Sequence, residues 1–146
     1  MAESVHAETW LYSTLSGDKC TGGLNHTDSA IKGRFYAYVL PAGSGYPAIV
    51  YSNQGGHDVM GVGASRVMAS MVYQVKVVGR GKRADFGGIK AYADRIDELL
   101  HGKRGVLTSG RVVSCVREQI ISYVEHAGDD VYSHLGGLYR LQVSNL

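Results

Sequence analysis

The chain has 146 residues, the length of one domain, and 45% hydrophobic against 19% charged residues is typical of a globular protein. A formal net charge of +2 is too small for a general nucleic-acid-binding surface, and no apolar run approaches the roughly 20 residues of a membrane-spanning helix. The N-terminus has no basic region followed by an apolar core, so we expect no signal peptide. Two cysteines, Cys20 and Cys115, are too few for a metal cage or a disulfide framework. We therefore expect one domain over residues 1–146, without a membrane segment, in a reducing compartment.

Glycine is the unusual residue in this composition. The chain has 20 glycines and only two prolines, and this glycine content is about twice the average of ~7%. Most of the glycines stand in close pairs, and glycine adopts positive φ without steric cost. Two glycine-rich segments without sustained periodicity, 16–34 and 52–64, are therefore predicted to be long loops.

The first half of the chain predicts one helix followed by three strands. The helix spans Ser4–Leu15, because Ser4 is a good N-cap and apolar residues recur at helical spacing: Ala7, Trp10, Leu11 and Leu15. The strands are rich in β-branched and aromatic residues: Phe35–Leu40, Tyr46–Tyr51 and Arg66–Val78. The third strand alternates apolar and polar residues, which predicts an antiparallel strand with one buried face: Met71, Tyr73, Val75 and Val77.

The second half predicts a helix and two long strands. Asp85 is the expected N-cap of the helix, whose apolar stripe has spacings of three and four: Phe86, Ile89, Ala93, Ile96 and Leu100. The strands run from Gly110 to His126 and from Tyr132 to Ser144. The whole pattern predicts an α+β fold, with two helices packed on one face of a mostly antiparallel sheet and a long C-terminal hairpin.

No segment has the residues and spacing of a catalytic, cofactor or metal site. The segment Gly79–Lys82 lies between a strand and a helix, as a phosphate loop does, but the spacing is too short and Arg83 stands where Ser or Thr is needed. His57 and Asp58 form a possible base and carboxylate, but no nucleophile motif accompanies them. The six histidines lack metal-ligand spacing. We expect no enzyme and no cofactor; the alternative is a small-ligand or enzyme domain built around 79–83 and His57, with a deep pocket.

The order of elements, together with several segments, resembles a known family. The segments are Arg34-Phe35-Tyr36, the strand Tyr46-Pro47-Ala48-Ile49-Val50-Tyr51, the strand Val72-Tyr73-Gln74-Val75-Lys76-Val77 and the helical segment from Ala91 to Leu100. In this order, after an N-terminal helix, they resemble the tail terminator (tail completion) proteins of long-tailed bacteriophages. The resemblance covers about residues 5–145, and the long final hairpin departs from the family pattern.

The resemblance implies a structural protein of the virion. Members of that family form rings, usually hexameric, that cap the head-proximal end of the tail tube, stop its polymerisation and offer a surface to the head connector. The implied partners are other copies of the chain, the tail tube protein and the connector or head-closure protein, with genome DNA passing through the lumen without sequence-specific binding. The implied location is the virion tail, with assembly in the host cytoplasm. A head-closure or tail-tube ring subunit is the nearest alternative.

Clustered charges mark candidate contacts between ring subunits. Arg80, Lys82 and Arg83 form a basic turn, and Asp129 and Asp130 form an acidic turn between the last two strands. A ring requires two different edges of the subunit to meet. We therefore predict that the acidic turn of one subunit contacts the basic turn of the next.

Overall fold

The computed structural model describes residues 2–145 and consists of two helices and a curled six-stranded sheet that forms a half-barrel. The helices are α1 (Ala2–Ser16) and α2 (Lys90–Leu100). The strands in chain order are β1 (Phe35–Ala37), β2 (Ala48–Met60), β3 (Arg66–Gly81), β4 (Lys103–Val106), β5 (Gly110–Ala127) and β6 (Asp130–Asn145). The sheet order is β1-β2-β3-β6-β5-β4; only β1 and β2 are parallel, and the other neighbours are antiparallel. The predicted α+β fold is confirmed.

The core lies between the two helices and one face of the sheet. Helix α1 contributes the stripe predicted from its sequence, and α2 contributes Ile96 and Leu100, both fully buried. On the sheet the buried residues alternate along β3 and β6 as the sequence predicts: Met71, Tyr73, Val75, Val77, Tyr139, Leu141 and Val143. Two core tyrosines reach polar partners on the helices: Tyr73 donates to Glu8 Oε1 at 3.3 Å, and Tyr139 donates to Asp97 Oδ1 at 3.0 Å.

The predicted loop at 52–64 is wrong, because β2 continues through most of it to Met60. Its residues pair with β3 one by one, with a bulge between Asn53 and Gly55, where Gly55 has a φ of 131° that only glycine adopts easily. The pairing partner therefore overrides the weak strand propensity of the glycines. A single 3₁₀ turn, Val62–Ala64, then connects β2 to β3.

Other element boundaries also differ from the sequence prediction. Strand β1 has three residues rather than six, and the short strand β4 was not predicted. Helix α2 begins at Lys90, because Asp85 instead stabilises a preceding turn, accepting a hydrogen bond from the amide of Gly88 at 3.1 Å. The long strands β5 and β6 lie where the alternation predicts them.

The segment 17–34 is a loop as predicted, and it is held by one buried ion pair. Arg95 of α2 contacts both oxygens of Asp18, at 2.7 and 2.8 Å, and the amide of Leu24 donates to the same carboxylate at 2.9 Å. The Arg95 guanidinium, together with the Leu24 amide, lowers the pKa of Asp18 to about 2 although the carboxylate is buried. Within residues 2–145 no helix is long and apolar enough to cross a membrane.

Candidate interaction surfaces

The basic turn predicted as an inter-subunit contact is paired within its own chain. Arg80 donates to Asp130 Oδ2 at 2.6 Å and 3.0 Å, and Lys82 Nζ lies 3.2 Å from Asp130 Oδ1. The register explains the contact, because Gly81 of β3 lies opposite Val131 of β6. Arg80 and then Lys82 hold the pKa of Asp130 below its ordinary value. Asp130 therefore pairs with two of the three cations of the basic turn within the same chain.

The remaining two residues of the predicted contact are placed differently. Arg83 and Asp129 are exposed, and within residues 2–145 neither forms an ion pair. A contact between the acidic turn of one chain and the basic turn of another is therefore tested with Asp129 and Arg83, because reversing Asp130 first disrupts a contact inside the chain. That contact stays a prediction.

The cavity beside the basic turn is not a phosphate cradle. It has a volume of about 320 Å³ and lies between Tyr46, Arg80, Asp85 and Tyr92. Gly79 and Gly81 belong to β3 and are paired with β6, so their amides do not form a loop at a helix N-terminus. The Asp85 carboxylate, which also lines the cavity, opposes the binding of an anion.

His57 and Asp58 do not converge on one centre. They are successive residues of β2, so their side chains point to opposite faces of the sheet, and Asp58 pairs with Arg66 at 3.0 Å. Among the described residues no group of three or more histidine, cysteine or acidic side chains is placed to hold a metal ion. Cys115 is buried, which raises the pKa of its thiol to about 12, whereas Cys20 is exposed.

Two edges of the sheet lack a partner strand over part of their length. In the described chain, β1 covers β2 only up to Tyr51, and β4 covers β5 only up to Cys115. This leaves the outer edges of β2 from Ser52 to Met60 and of β5 from Val116 to Ala127 without a paired strand, apart from side-chain contacts such as His101 with the Arg117 amide. Unpaired edges of this length are sites where another chain adds a strand.

An apolar surface projects at the turn between β2 and β3, and we call it the tip. Val62 is fully exposed, and Met60 and Val67 are 55% and 50% exposed. The sequence analysis missed the tip because it assigned residues 52–64 to a loop. The signal available in the sequence was the apolar pair Val59-Met60 followed by Val62, in a segment otherwise rich in glycine.

An apolar groove lies towards the opposite edge of the sheet, between the start of α2 and β5. Its volume is about 380 Å³, and its apolar lining is Phe86, Ala93, Ile120 and Leu135. Ile120 is 69% exposed, so it presents a large apolar side chain at the groove. The rim of the groove carries Lys90, Asp94 and Arg117.

The face of the sheet without helices, which we call the polar face, carries most of the polar side chains of the two central strands. It presents Gln74, Lys76, Arg140 and Gln142 from the two central strands. Arg140 contacts Glu118 and donates to Ser70 Oγ at 2.8 Å. This face therefore carries paired charges and amides next to apolar side chains such as Val72 and Leu138.

A buried histidine lies at one end of that polar face. The His134 ring stacks on Tyr123 with centroids 4.3 Å apart, and Lys76 Nζ lies 5.0 Å from the Tyr123 ring centroid. Neither ring nitrogen of His134 has a hydrogen-bond partner among the described residues, although Glu125 Oε1 is 3.6 Å away. Burial, and then Lys76, lower the pKa of His134, and Glu125 opposes them.

Comparison with known proteins identifies a similar fold in a solved structure but no related sequence family. No family model matches the chain, and no curated protein matches its sequence. Among solved structures, the chain is similar to one from the virion of a native gene transfer agent particle, with a TM-score of 0.63 and 19% identity. The alignment covers 92% of this chain and 91% of that chain. The protein therefore shares its fold, over nearly its whole length, with a chain of that virion.

Proposed function

We propose that this protein is a structural component of a phage-like virion, and specifically a tail terminator that forms a ring at the head-proximal end of the tail tube. The observation that carries the proposal is the near-complete fold similarity to a chain of a gene transfer agent virion. The resemblance of the element order to tail terminator proteins supports the finer assignment. A ring of this kind caps the tube, stops its polymerisation and offers the connector a surface.

The unpaired strand edges supply a route to such a ring. Strand β5 runs opposite to β2, because each of the pairs β2–β3, β3–β6 and β6–β5 is antiparallel. In a ring, the β5 edge of one subunit meets the β2 edge of the next, so the two strands add an antiparallel junction to the sheet. The contact joins two different surfaces, so it is not a two-fold dimer contact, and it forms a ring when the rotation between neighbours closes.

The positions of these edges determine the inclination of the strands. The free part of β5 lies beside the start of β6, and the free part of β2 lies beside the opposite end of the sheet. Measured along the strands, the centres of the two free segments are about seven residues, or ~23 Å, apart. Measured across the strands, joining the two edges spans four strand spacings of ~4.8 Å each. Joining the edges in a closed ring therefore inclines the strands by about 50° to the ring axis, close to the 35–45° typical of barrels.

We further propose that the polar face of the sheet lines the lumen. Helices α1 and α2 cover the other face, so they lie outside such a ring. Gln74, Lys76 and Gln142 present polar groups to passing DNA without a dense positive charge that would hold it. The proposal includes no catalytic step, so changing His57 or Lys82 to alanine is expected to remove no reaction.

Electron microscopy of tail tubes tests the proposed function. Tubes assembled with this protein are expected to have a ring at one end and a uniform length, because capped ends add no further tube subunits. Tubes assembled without it are expected to continue growing. Binding along the tube wall, or tube lengths that do not respond to the protein, would contradict the terminator assignment.

A further inference from the structure

We infer that the tip of one chain, formed by Met60, Val62 and Val67, inserts into the groove between α2 and β5 of a second copy of this chain. The inference rests on the proposed ring and adds the contact that holds neighbouring subunits together. The tip and the groove lie towards opposite edges of the same sheet, so each copy offers one and receives the other.

The apolar surfaces on the two sides are complementary in kind. The tip exposes three large apolar side chains at a convex turn, and removing apolar surface from water is favourable. The groove is concave, has a volume of about 380 Å³ and includes the exposed Ile120. A monomer leaves both surfaces in water, whereas each tip–groove contact removes apolar surface from water on both copies.

The strand register brings the tip to the groove. When the β2 edge of one copy pairs antiparallel with the β5 edge of the next, the end of β2 lies beside the start of the free part of β5. Met60 then lies close to Ile120 of the neighbouring copy, and the turn that follows lies beside Arg117 at the rim of the groove of that copy. The same edge pairing that continues the sheet therefore places the tip at the mouth of the groove.

The tip and the groove also lie on the same face of the sheet, the face that carries the helices. Asp58 lies opposite Ala69, a core residue of β3, so Asp58 and Met60 point to the face that carries the helices. Ile120 lies opposite Gly137, two residues from Tyr139 in the core, and so points to that face too. Met60 and Ile120 of two adjoining copies therefore lie on one side of a continuous sheet.

Charge does not oppose the contact. At the rim of the groove, Lys90 pairs with Asp94 at 2.6 Å, and Arg117 lies 3.5 Å from Asp97. At the base of the tip, Asp58 pairs with Arg66. Both surfaces thus carry balanced charge, and the apolar contact meets no like-charge repulsion.

A cross-linking experiment on the full chain tests the inference. In a Cys20→Ser background, Val62→Cys and Lys90→Cys chains are prepared separately, mixed and treated with a short bismaleimide cross-linker. We expect a covalent dimer in the mixture and not in either preparation alone, because the contact joins two different surfaces. The matched control replaces Val62→Cys with Val5→Cys, an exposed valine on the outer side of α1. A yield no higher than that of the control, at any protein concentration, overturns the inference.

A second variant separates this inference from the proposed function. Val62→Asp is expected to raise the concentration at which subunits associate, measured by sedimentation, at least tenfold, whereas Val5→Asp leaves it unchanged. If rings form and Val62→Asp assembles like the unmodified chain, the tip–groove contact is wrong and the ring stands. If tubes are never capped but the cross-link forms, the terminator function is wrong and the contact stands.

Discussion

His134 shows how a single residue depends on its surroundings. Its ring is buried on the polar face of the sheet and stacked on Tyr123, with no hydrogen-bond partner for either nitrogen among the described residues. A buried imidazole of this kind favours the neutral form, because charging it costs desolvation energy and brings it beside Lys76.

The first prediction follows from the lowered pKa of His134. Below the unfolded-state pKa of 6.5 the unfolded chain takes up a proton that the folded chain does not, so stability falls as the pH drops from 6.5 towards the lower folded-state pKa. His134→Phe keeps the stacked ring and is expected to flatten this dependence. Urea unfolding at pH 7.5 and 5.5 measures the effect, with exposed His126→Gln as the control. An unchanged pH dependence in His134→Phe would contradict the prediction.

The second prediction concerns the Asp18–Arg95 ion pair. The pKa of Asp18 is lowered from 3.8 to about 2, so its contribution is fully present above pH 3.8 and is lost as the pH falls to about 2. Asp18→Asn is expected to reduce the free energy of unfolding at pH 7 by about 2 kcal/mol. The difference from the unmodified chain is expected to shrink in urea titrations carried out towards pH 2. Asp28→Asn, at an exposed position, is the matched control, and an equal loss in both variants would count against the buried pair.

At the scale of elements, helix α2 was predicted from its apolar spacing, and its buried face is the predicted one. Ile96 and Leu100 are fully buried, and Ile89, just before the helix, is 4% exposed. The start of the helix was predicted four residues early, because the pair Gly87-Gly88 favours a turn and Asp85 caps that turn instead.

The third prediction tests the packing of α2. Ile96→Ala is expected to lower the free energy of unfolding by about 2–5 kcal/mol, because it leaves a cavity against the sheet. Chemical denaturation measures the loss, and Glu98→Ala on the exposed side of α2 provides the comparison. A loss below ~0.5 kcal/mol would show that the Ile96 site collapses without cost.

At the scale of the whole molecule, the sheet is incomplete at two edges, and the proposed ring completes it. The Arg117 amide points away from β6, since it donates to His101 Nδ1. Backbone amides along β5 point alternately towards β6 and away from it, and the bulge between Arg117 and Gln119 inserts one extra residue into this pattern. After the bulge, the amide of Ser122 points away from β6 and that of Ile121 points towards it.

The fourth prediction uses this difference between neighbouring amides. Ser122→Pro removes an outward amide, so it is expected to leave the fold intact and to abolish ring formation, observed by native mass spectrometry and circular dichroism. Ile121→Pro, one residue away, removes an amide that faces β6 and is expected to destabilise the monomer itself. Rings formed by the folded Ser122→Pro chain would show that the β5 edge is not the contact.

The amino-acid sequence by itself determined the features that depend on local periodicity: both helices, the buried faces of β3 and β6, and the long C-terminal hairpin. The tertiary structure alone decided the features that depend on distant pairing. Strand β2 extends through glycines because β3 lies beside it, and Asp130 neutralises Arg80 because the β3–β6 register brings them together. The tip and the groove come from separate segments of the chain, and only the sheet places them on one face. Local patterns record which side of an element is buried, whereas pairing across the sheet depends on partners that local spacing does not specify.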